Sequence, residues 1–117
     1  MQLMMFIAKD PSVVSPVLRE LMANGVGGGT VVECEGMLQA LEESSVEPPP
    51  AFGSLRQFLN PAHAKGKILL VVLADGQLEV ARDVVHRVCG ELDKPNTGIL
   101  FTLPIGYVEG FYQKEQQ

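Results

Sequence analysis

The residues best suited to ligand chemistry lie in the stretch DKPNTGILFTLPI, residues 93–105. They are the ammonium group of Lys94, the amide of Asn96, the hydroxyl of Thr97 and the turn glycine Gly98. Backbone N–H groups around a glycine, combined with a hydroxyl and an ammonium group, can cradle phosphate oxygens. Turn formation alone explains the proline, the asparagine and the glycine, but neither the lysine nor the threonine. The stretch therefore predicts either a simple turn or an anion-binding loop.

No other group of side chains has the spacing of a catalytic or metal centre. Neither His63 nor His86 has a cysteine or carboxylate at metal-ligand spacing, and Cys34 alone makes a poor ligand set. No Ser/His/Asp or Cys/His set is evident, and no carboxylate pair. We therefore expect no enzymatic activity, no catalytic residue and no metal site.

The composition predicts one globular domain over residues 1–117. Of these residues 46% are hydrophobic and 20% are charged, which is typical of a chain with a single modest core. The formal net charge is −5 and no Lys/Arg cluster occurs, so nucleic acid is not an expected partner. No apolar run reaches the ~20 residues of a membrane helix, and the opening MQLMMFIAKD lacks the pattern of a signal peptide. We expect a cytoplasmic protein with reduced thiols and no direct membrane insertion.

The first part of the chain predicts a strand, a helix and a second strand. The apolar run at 3–8 is typical of a strand buried on both faces. In the helix that follows, Ser12 or Ser15 is expected to cap the start and Gly25 to stop the end. The apolar helix face is predicted to consist of Val17, Leu18, Leu21 and Met22. The second strand, at 30–36, alternates, with Val32 and Cys34 on one side and Val31, Glu33 and Glu35 on the other.

Residues 66–105 repeat this plan. An apolar strand at 67–74 precedes a helix at about 77–92, and a strand ending at Pro104 closes the repeat. The apolar stripe of this helix is Leu78, Ala81, Val85, Val88 and Leu92, and Arg82, Asp83, His86 and Arg87 lie off it. Two βαβ halves most economically form an α+β, ferredoxin-like βαββαβ domain. Its four-stranded antiparallel sheet would carry both helices on one face and the two apolar runs as central strands.

Two helices on one face leave the other face of such a sheet uncovered. Because both apolar runs are hydrophobic at every position except Lys67, that face is expected to be apolar as well. An exposed apolar surface of this kind is an interaction site or an aggregation liability. The sequence therefore predicts self-association through the sheets.

A long connector, 37–65, separates the two halves. Connections beyond ~12–15 residues in a compact domain are usually functional or disordered. The middle of this one, EESSVEPPP, is acidic and proline-rich, which is typical of an extended segment. Its second half predicts a short amphipathic helix that either folds back onto its own oligomer or docks into a partner. The residues concerned are Phe52, Leu55, Phe58 and Leu59, with Arg56 as a solvated charge or a contact.

This order of elements, with a long loop between two βαβ halves, resembles the P-II nitrogen-regulatory signalling family. Four stretches carry the resemblance: LMMFIAK, NGVGGGTVVECEGM, KILLVVLADGQLEVARDVV and TGILFTLPIGYVEGF. They are similar to the family's first strand, its second strand with the base of its long T-loop, its third strand with the second helix, and its last strand. None of the four is a catalytic signature.

The resemblance implies a compact homotrimer whose T-loop, here 37–65, binds a transporter or an enzyme. It also implies that an adenine nucleotide such as ATP or ADP binds in clefts between subunits. The T-loop base, the loop before the last strand (the B-loop) and the C-terminal segment build these clefts. The ligand-binding residues would be Gly28, Gly29, Thr30, Gly36, Met37, Lys94, Asn96, Thr97 and Gly98.

The chain departs from the family pattern at its charged and modified positions. The family's C-terminal arginines, which clamp phosphates, fall here at Gly110 and Tyr112, and the uridylylated T-loop tyrosine has no counterpart. Control by uridylylation is therefore not expected. Two functions stay open at this point: a nucleotide-sensing signal transducer, and a ligand-free interaction module with the same trimer. Metal binding is a third, weaker alternative.

Overall fold

The described parts of the chain form one four-stranded antiparallel sheet packed with two helices, as the sequence predicts. The computed structural model describes residues 1–37, 40–41, 66–93 and 98–111. The strands are β1 (Gln2–Ala8), β2 (Gly29–Cys34), β3 (Gly66–Leu73) and β4 (Gly98–Pro104); the helices are α1 (Val14–Ala23) and α2 (Gln77–Cys89). The sheet order is β2-β3-β1-β4, which is compatible with a ferredoxin-like fold. The two uniformly apolar strands, β1 and β3, are confirmed as the central pair.

One face of the sheet forms the core with both helices. Because side chains alternate along a strand, every second residue of β1 and β3 points toward α1 and α2. The fully buried strand residues are Met4, Phe6, Ala8, Leu69, Val71 and Leu73. The helices contribute Val14, Val17, Leu21, Ala81, Val84 and Val85 to the same cluster. Burial of each larger side chain contributes roughly 1.5–3 kcal/mol, so this layer is the main source of stability.

The start of α1 differs from the sequence prediction. The capping side chain is that of Asp10 and not that of Ser12 or Ser15. Its carboxylate accepts hydrogen bonds from the Ser12 backbone N–H (2.9 Å) and from the Ser12 hydroxyl (2.7 Å). These bonds stabilise a 3₁₀ turn at Pro11–Val13, and α1 then begins at Val14 without a side-chain cap. The prediction for Met22 is also wrong, because its side chain is 70% exposed.

The ends of the two helices are joined by one side chain. Gly25 ends α1 in the left-handed region, with φ +85°, as predicted. Gln77, at the start of α2, donates its amide N–H to the Gly25 carbonyl (3.2 Å). Its carboxamide oxygen accepts a hydrogen bond from the Ala74 backbone N–H (2.8 Å). Gln77 thereby fixes the beginning of the glycine-rich segment that leads into β2.

Candidate ligand-binding site

The sheet face opposite the helices is formed almost entirely by apolar side chains. Its residues lie in three cross-strand rows: Thr30–Leu70–Met5–Phe101, Val32–Ile68–Ile7–Ile99 and Val72–Leu3–Leu103. We call these residues the open face. Thr30 is the only polar side chain in the three rows. The alternation predicted for β2 is confirmed, since Val32 lies on the open face and Val31 on the opposite one.

The side chains of the open face are substantially exposed at its edges. Ile99 is 57% exposed, Leu103 48%, Val32 44% and Phe101 38%. A continuous exposed apolar surface of this kind marks an interaction site. Within the described residues, the expected uncovered apolar face is therefore present.

The predicted ligand residues that the structure describes lie at opposite ends of the sheet. Gly28 directly precedes β2, and Gly29 and Thr30 are its first two residues, with Gly29 the register partner of Val71. We call this the Gly28 end. Gly36 and Met37 follow the last residue of β2, and Gly98 begins β4. We call these three residues the Gly98 end.

The register shows how far apart these groups are. Gly98 pairs with Ala8, Ala8 with Lys67 and Lys67 with Glu33, which lies four residues beyond Gly29 on β2. With ~3.3 Å per residue and ~4.8 Å between strands, Gly29 and Gly98 are about 20 Å apart. Their backbones therefore cannot contact the same group of a small ligand within one chain.

Three of the predicted ligand glycines have neighbours within their own chain. A Cβ added at Gly29 would lie 3.2 Å from Leu69 Cδ1, in the core layer. At Gly98, where φ is +133°, it would collide with the Ile7 carbonyl oxygen. At Gly28 it would lie 3.9 Å from Phe111 Cε1. Close packing thus requires glycine at Gly98 and favours it at Gly29, whether or not a ligand is bound.

Gly36 differs from these three glycines. A Cβ there would meet no atom of the described residues within 4 Å, and its φ is not in the left-handed region. Its carbonyl accepts a hydrogen bond from the Ala40 N–H (3.0 Å). Met37, the next residue, is 81% exposed. The Gly36–Met37 pair is therefore accessible within the described part of the chain.

The remaining predicted site residues lie outside the described residues. These are Lys94, Asn96 and Thr97 of the opening stretch, and Phe52, Leu55, Arg56, Phe58 and Leu59 of the connector. The structure describes only Met37, Ala40 and Leu41 of the connector 37–65. Their roles stay predictions.

Sequence reasoning missed two contributors to the Gly28 end. The contact of Phe111 with Gly28 joins a residue beyond the end of β4 to one just before β2, on the opposite edge of the sheet, and no local pattern indicates it. Gln77 was also overlooked as the group that holds Gly25. A glutamine at the first position of a helix directly after an Ala-Asp-Gly turn is the only sequence signal for it.

The other reactive groups of the described residues form no second site. Burial raises the pKa of the Cys34 thiol, and burial together with Asp10 raises the pKa of Cys89. Both thiols are therefore poor nucleophiles at neutral pH. No group of three or more His, Cys, Asp or Glu in the described ranges could hold a metal ion. A shallow hollow on the polar side of α2, lined by Asp83, His86 and Arg87, contains none of the predicted ligand residues.

Comparison with known proteins gives no assignment. No protein-family model matches the chain, and no curated protein matches it. Within the described residues, no helix is long and apolar enough to cross a bilayer.

Proposed function

We propose that this protein is a P-II-like signal transducer that acts as a homotrimer. Each cleft between subunits binds a small effector, an adenine nucleotide such as ATP or ADP. Binding orders or releases the loop 37–65, which then engages or frees a target protein, a transporter or an enzyme. The observation that carries the proposal is the position of the predicted ligand residues at opposite ends of the sheet.

That separation favours a site shared between copies. One chain cannot bring the Gly28 end and the Gly98 end to the same ligand, because about 20 Å of sheet lies between them. Two chains can, when the Gly28 end of one faces the Gly98 end of the next. A closed ring of identical contacts would then repeat the cleft at every interface.

The open face supplies a reason for the chains to associate. Two of its three rows run across all four strands and the third across β3, β1 and β4. Burying their apolar side chains stabilises an assembly by roughly 25 cal/mol per Å² of apolar area removed from water. Mutual coverage by sheets of neighbouring subunits would bury the surface that the two helices leave uncovered. The trimer is the closed form that the family resemblance favours.

Within the cleft, each residue has a role that follows from its chemistry. Lys94 supplies positive charge to a phosphate, Asn96 and Thr97 supply hydrogen bonds, and Gly28 and Gly36 allow close approach to the backbone. The effector can shift the equilibrium between two loop states only by the difference between its binding free energies for these states. Signalling therefore requires contact between the effector and the loop base at Gly36–Met37.

The proposal is tested by thermal unfolding of the purified oligomer with ATP, ADP, AMP, cyclic dinucleotides or buffer, and of its Lys94→Ala variant. A ligand at ~100 times its Kd stabilises the folded state by roughly 2.7 kcal/mol, which raises Tm by several degrees. We expect a shift with one nucleotide that Lys94→Ala abolishes. No shift with any of them, from a well-folded oligomer, contradicts nucleotide sensing.

A second candidate is a ligand-free interaction module with the same oligomer. The packing of Gly28, Gly29 and Gly98 against their own chain favours it, because these glycines have neighbours without any effector. The absence of basic residues at positions 110 and 112 points the same way. In this case target capture would be unchanged by nucleotides and lost on deletion of the loop 37–65.

A further inference from the structure

The C-terminal segment after β4 crosses the end of the sheet and reaches the Gly28 end. It leaves the β4 edge with one backbone hydrogen bond, from the Ile105 N–H to the Met1 carbonyl (3.2 Å). Phe111 then lies beside Gly28, which precedes β2 on the opposite edge. The segment 105–111, which we call the C-terminal strap, therefore passes in front of the ends of β1 and β3.

The strap is held loosely along most of its length. Gly106, Tyr107, Glu109 and Gly110 are exposed, and Tyr107 is 76% exposed. The hydroxyl of Tyr107 donates to the Glu109 carboxylate, which is a contact within the strap and not with the body. Phe111 is partly buried. A segment with few buried contacts opens at low cost in free energy.

Phe111 lies against one side of Gly28, a residue that stays exposed on its other sides. Its ring atom Cε1 lies in van der Waals range of the position where a Gly28 side chain would begin. A ligand that approaches the Gly28 backbone from this side would have to occupy the same space. The ring and the ligand therefore exclude one another at this position.

We propose that the C-terminal strap is an autoinhibitory element in which Phe111, packed against one side of Gly28, competes with an effector for that side. This inference rests on the proposed effector function and adds a regulatory device to it. The apparent Kd equals the intrinsic Kd divided by the fraction of molecules with an open strap. Removing the ring should therefore tighten binding, by about three- to tenfold for a strap that is closed in most molecules.

The experiment compares the wild type with Phe111→Ala and Tyr107→Ala by isothermal titration with ATP, ADP and AMP. Tyr107→Ala is the matched control, because it removes an aromatic side chain from the same strap and leaves Phe111 in place. The NMR shift of the Gly28 Hα protons is measured in parallel without ligand. A change of this shift in Phe111→Ala but not in Tyr107→Ala would report the loss of a ring current and show that the Phe111 ring lies beside Gly28.

Each outcome decides a different part of the account. Tighter binding by Phe111→Ala, with Tyr107→Ala equal to the wild type, supports the autoinhibitory strap. Equal nucleotide affinity in all three proteins contradicts the autoinhibitory strap but not the effector function. Weaker affinity in Phe111→Ala does the same. An unchanged Gly28 shift in Phe111→Ala overturns the strap independently of any ligand. Failure of all three proteins to bind nucleotides contradicts the effector function itself.

Discussion

The two faces of the sheet are both apolar along the central strands but differ in what covers them. On β1, Met4 and Phe6 point to the helices and are fully buried, whereas Met5 and Ile7 between them belong to the open face. The covered face obtains its partner from the same chain, through α1 and α2. The open face has no such partner among the described residues. Among the described residues, the chain therefore supplies a partner for only one of the two faces.

The largest effect is expected from truncation on the covered face. Phe6→Ala removes a fully buried ring from the core, and such changes cost about 3–5 kcal/mol. Met5→Ala, the adjacent residue on the open face, should cost less in a dissociated chain. Chemical denaturation at low protein concentration measures both. Equal losses for the two variants would mean that the faces do not differ as described.

A charge on the open face should separate association from folding. Met5→Lys places an ammonium group in the row Thr30–Leu70–Met5–Phe101, which lies between the other two rows of the open face. Association would bury this group without a partner, at a cost of several kcal/mol. Sedimentation equilibrium should show loss of the oligomer, while circular dichroism stays native. Met22→Lys is the matched control, because that methionine is 70% exposed on α1, and its oligomer should persist. An intact oligomer in Met5→Lys would exclude the open face as the interface.

The two glycines of the Gly98 end should respond differently to alanine. Gly98→Ala introduces a Cβ that collides with the Ile7 carbonyl at φ +133°, so we expect a loss of roughly 1–3 kcal/mol. Gly36→Ala meets no described neighbour and should change stability by under about 1 kcal/mol. Thermal unfolding distinguishes them. If Gly36→Ala nevertheless abolishes nucleotide binding, the glycine serves the ligand and not the fold.

The smallest effect is expected on the outer surface of the helices. Arg87 on α2 pairs with Glu20 on α1 at 3.2 Å, with side chains 56% and 43% exposed. Exposed pairs contribute about 0–1 kcal/mol, and salt screens them. Arg87→Ala should therefore lower the free energy of unfolding slightly at low salt and hardly at all in 1 M NaCl. A loss above 2 kcal/mol in either buffer would contradict this.

The sequence predicts the architecture because its signals are local. Uniform apolar runs indicate β1 and β3 as central strands, alternation assigns the two sides of β2, and Gly25 marks the end of α1. The expectation of an uncovered apolar face follows from the same runs. These features depend on residues that are near neighbours in the chain, so periodicity and turn chemistry suffice to find them.

Other features depend on competition or on distant contacts. Asp10 and Ser12 are both residue types that cap helices. The Asp10 carboxylate takes this role because it accepts hydrogen bonds from both the backbone N–H and the hydroxyl of Ser12. Met22 has apolar spacing but is left exposed at the end of α1. The contact of Phe111 with Gly28 depends on the path of the strap across the sheet. None of these outcomes is visible in sequence spacing alone.

The most direct test of a cleft shared between subunits is nucleotide binding by mixed oligomers. Gly28→Leu disables the Gly28 end, and Lys94→Ala disables the loop that leads into Gly98, so neither variant alone should bind. Co-refolding equal amounts should restore binding at about one quarter of the clefts, because an intact cleft takes one end from each of two neighbours. Recovery would support the shared cleft. No recovery in mixed oligomers of proven composition, with nucleotide binding by the wild type, would place the site within one chain and contradict the account.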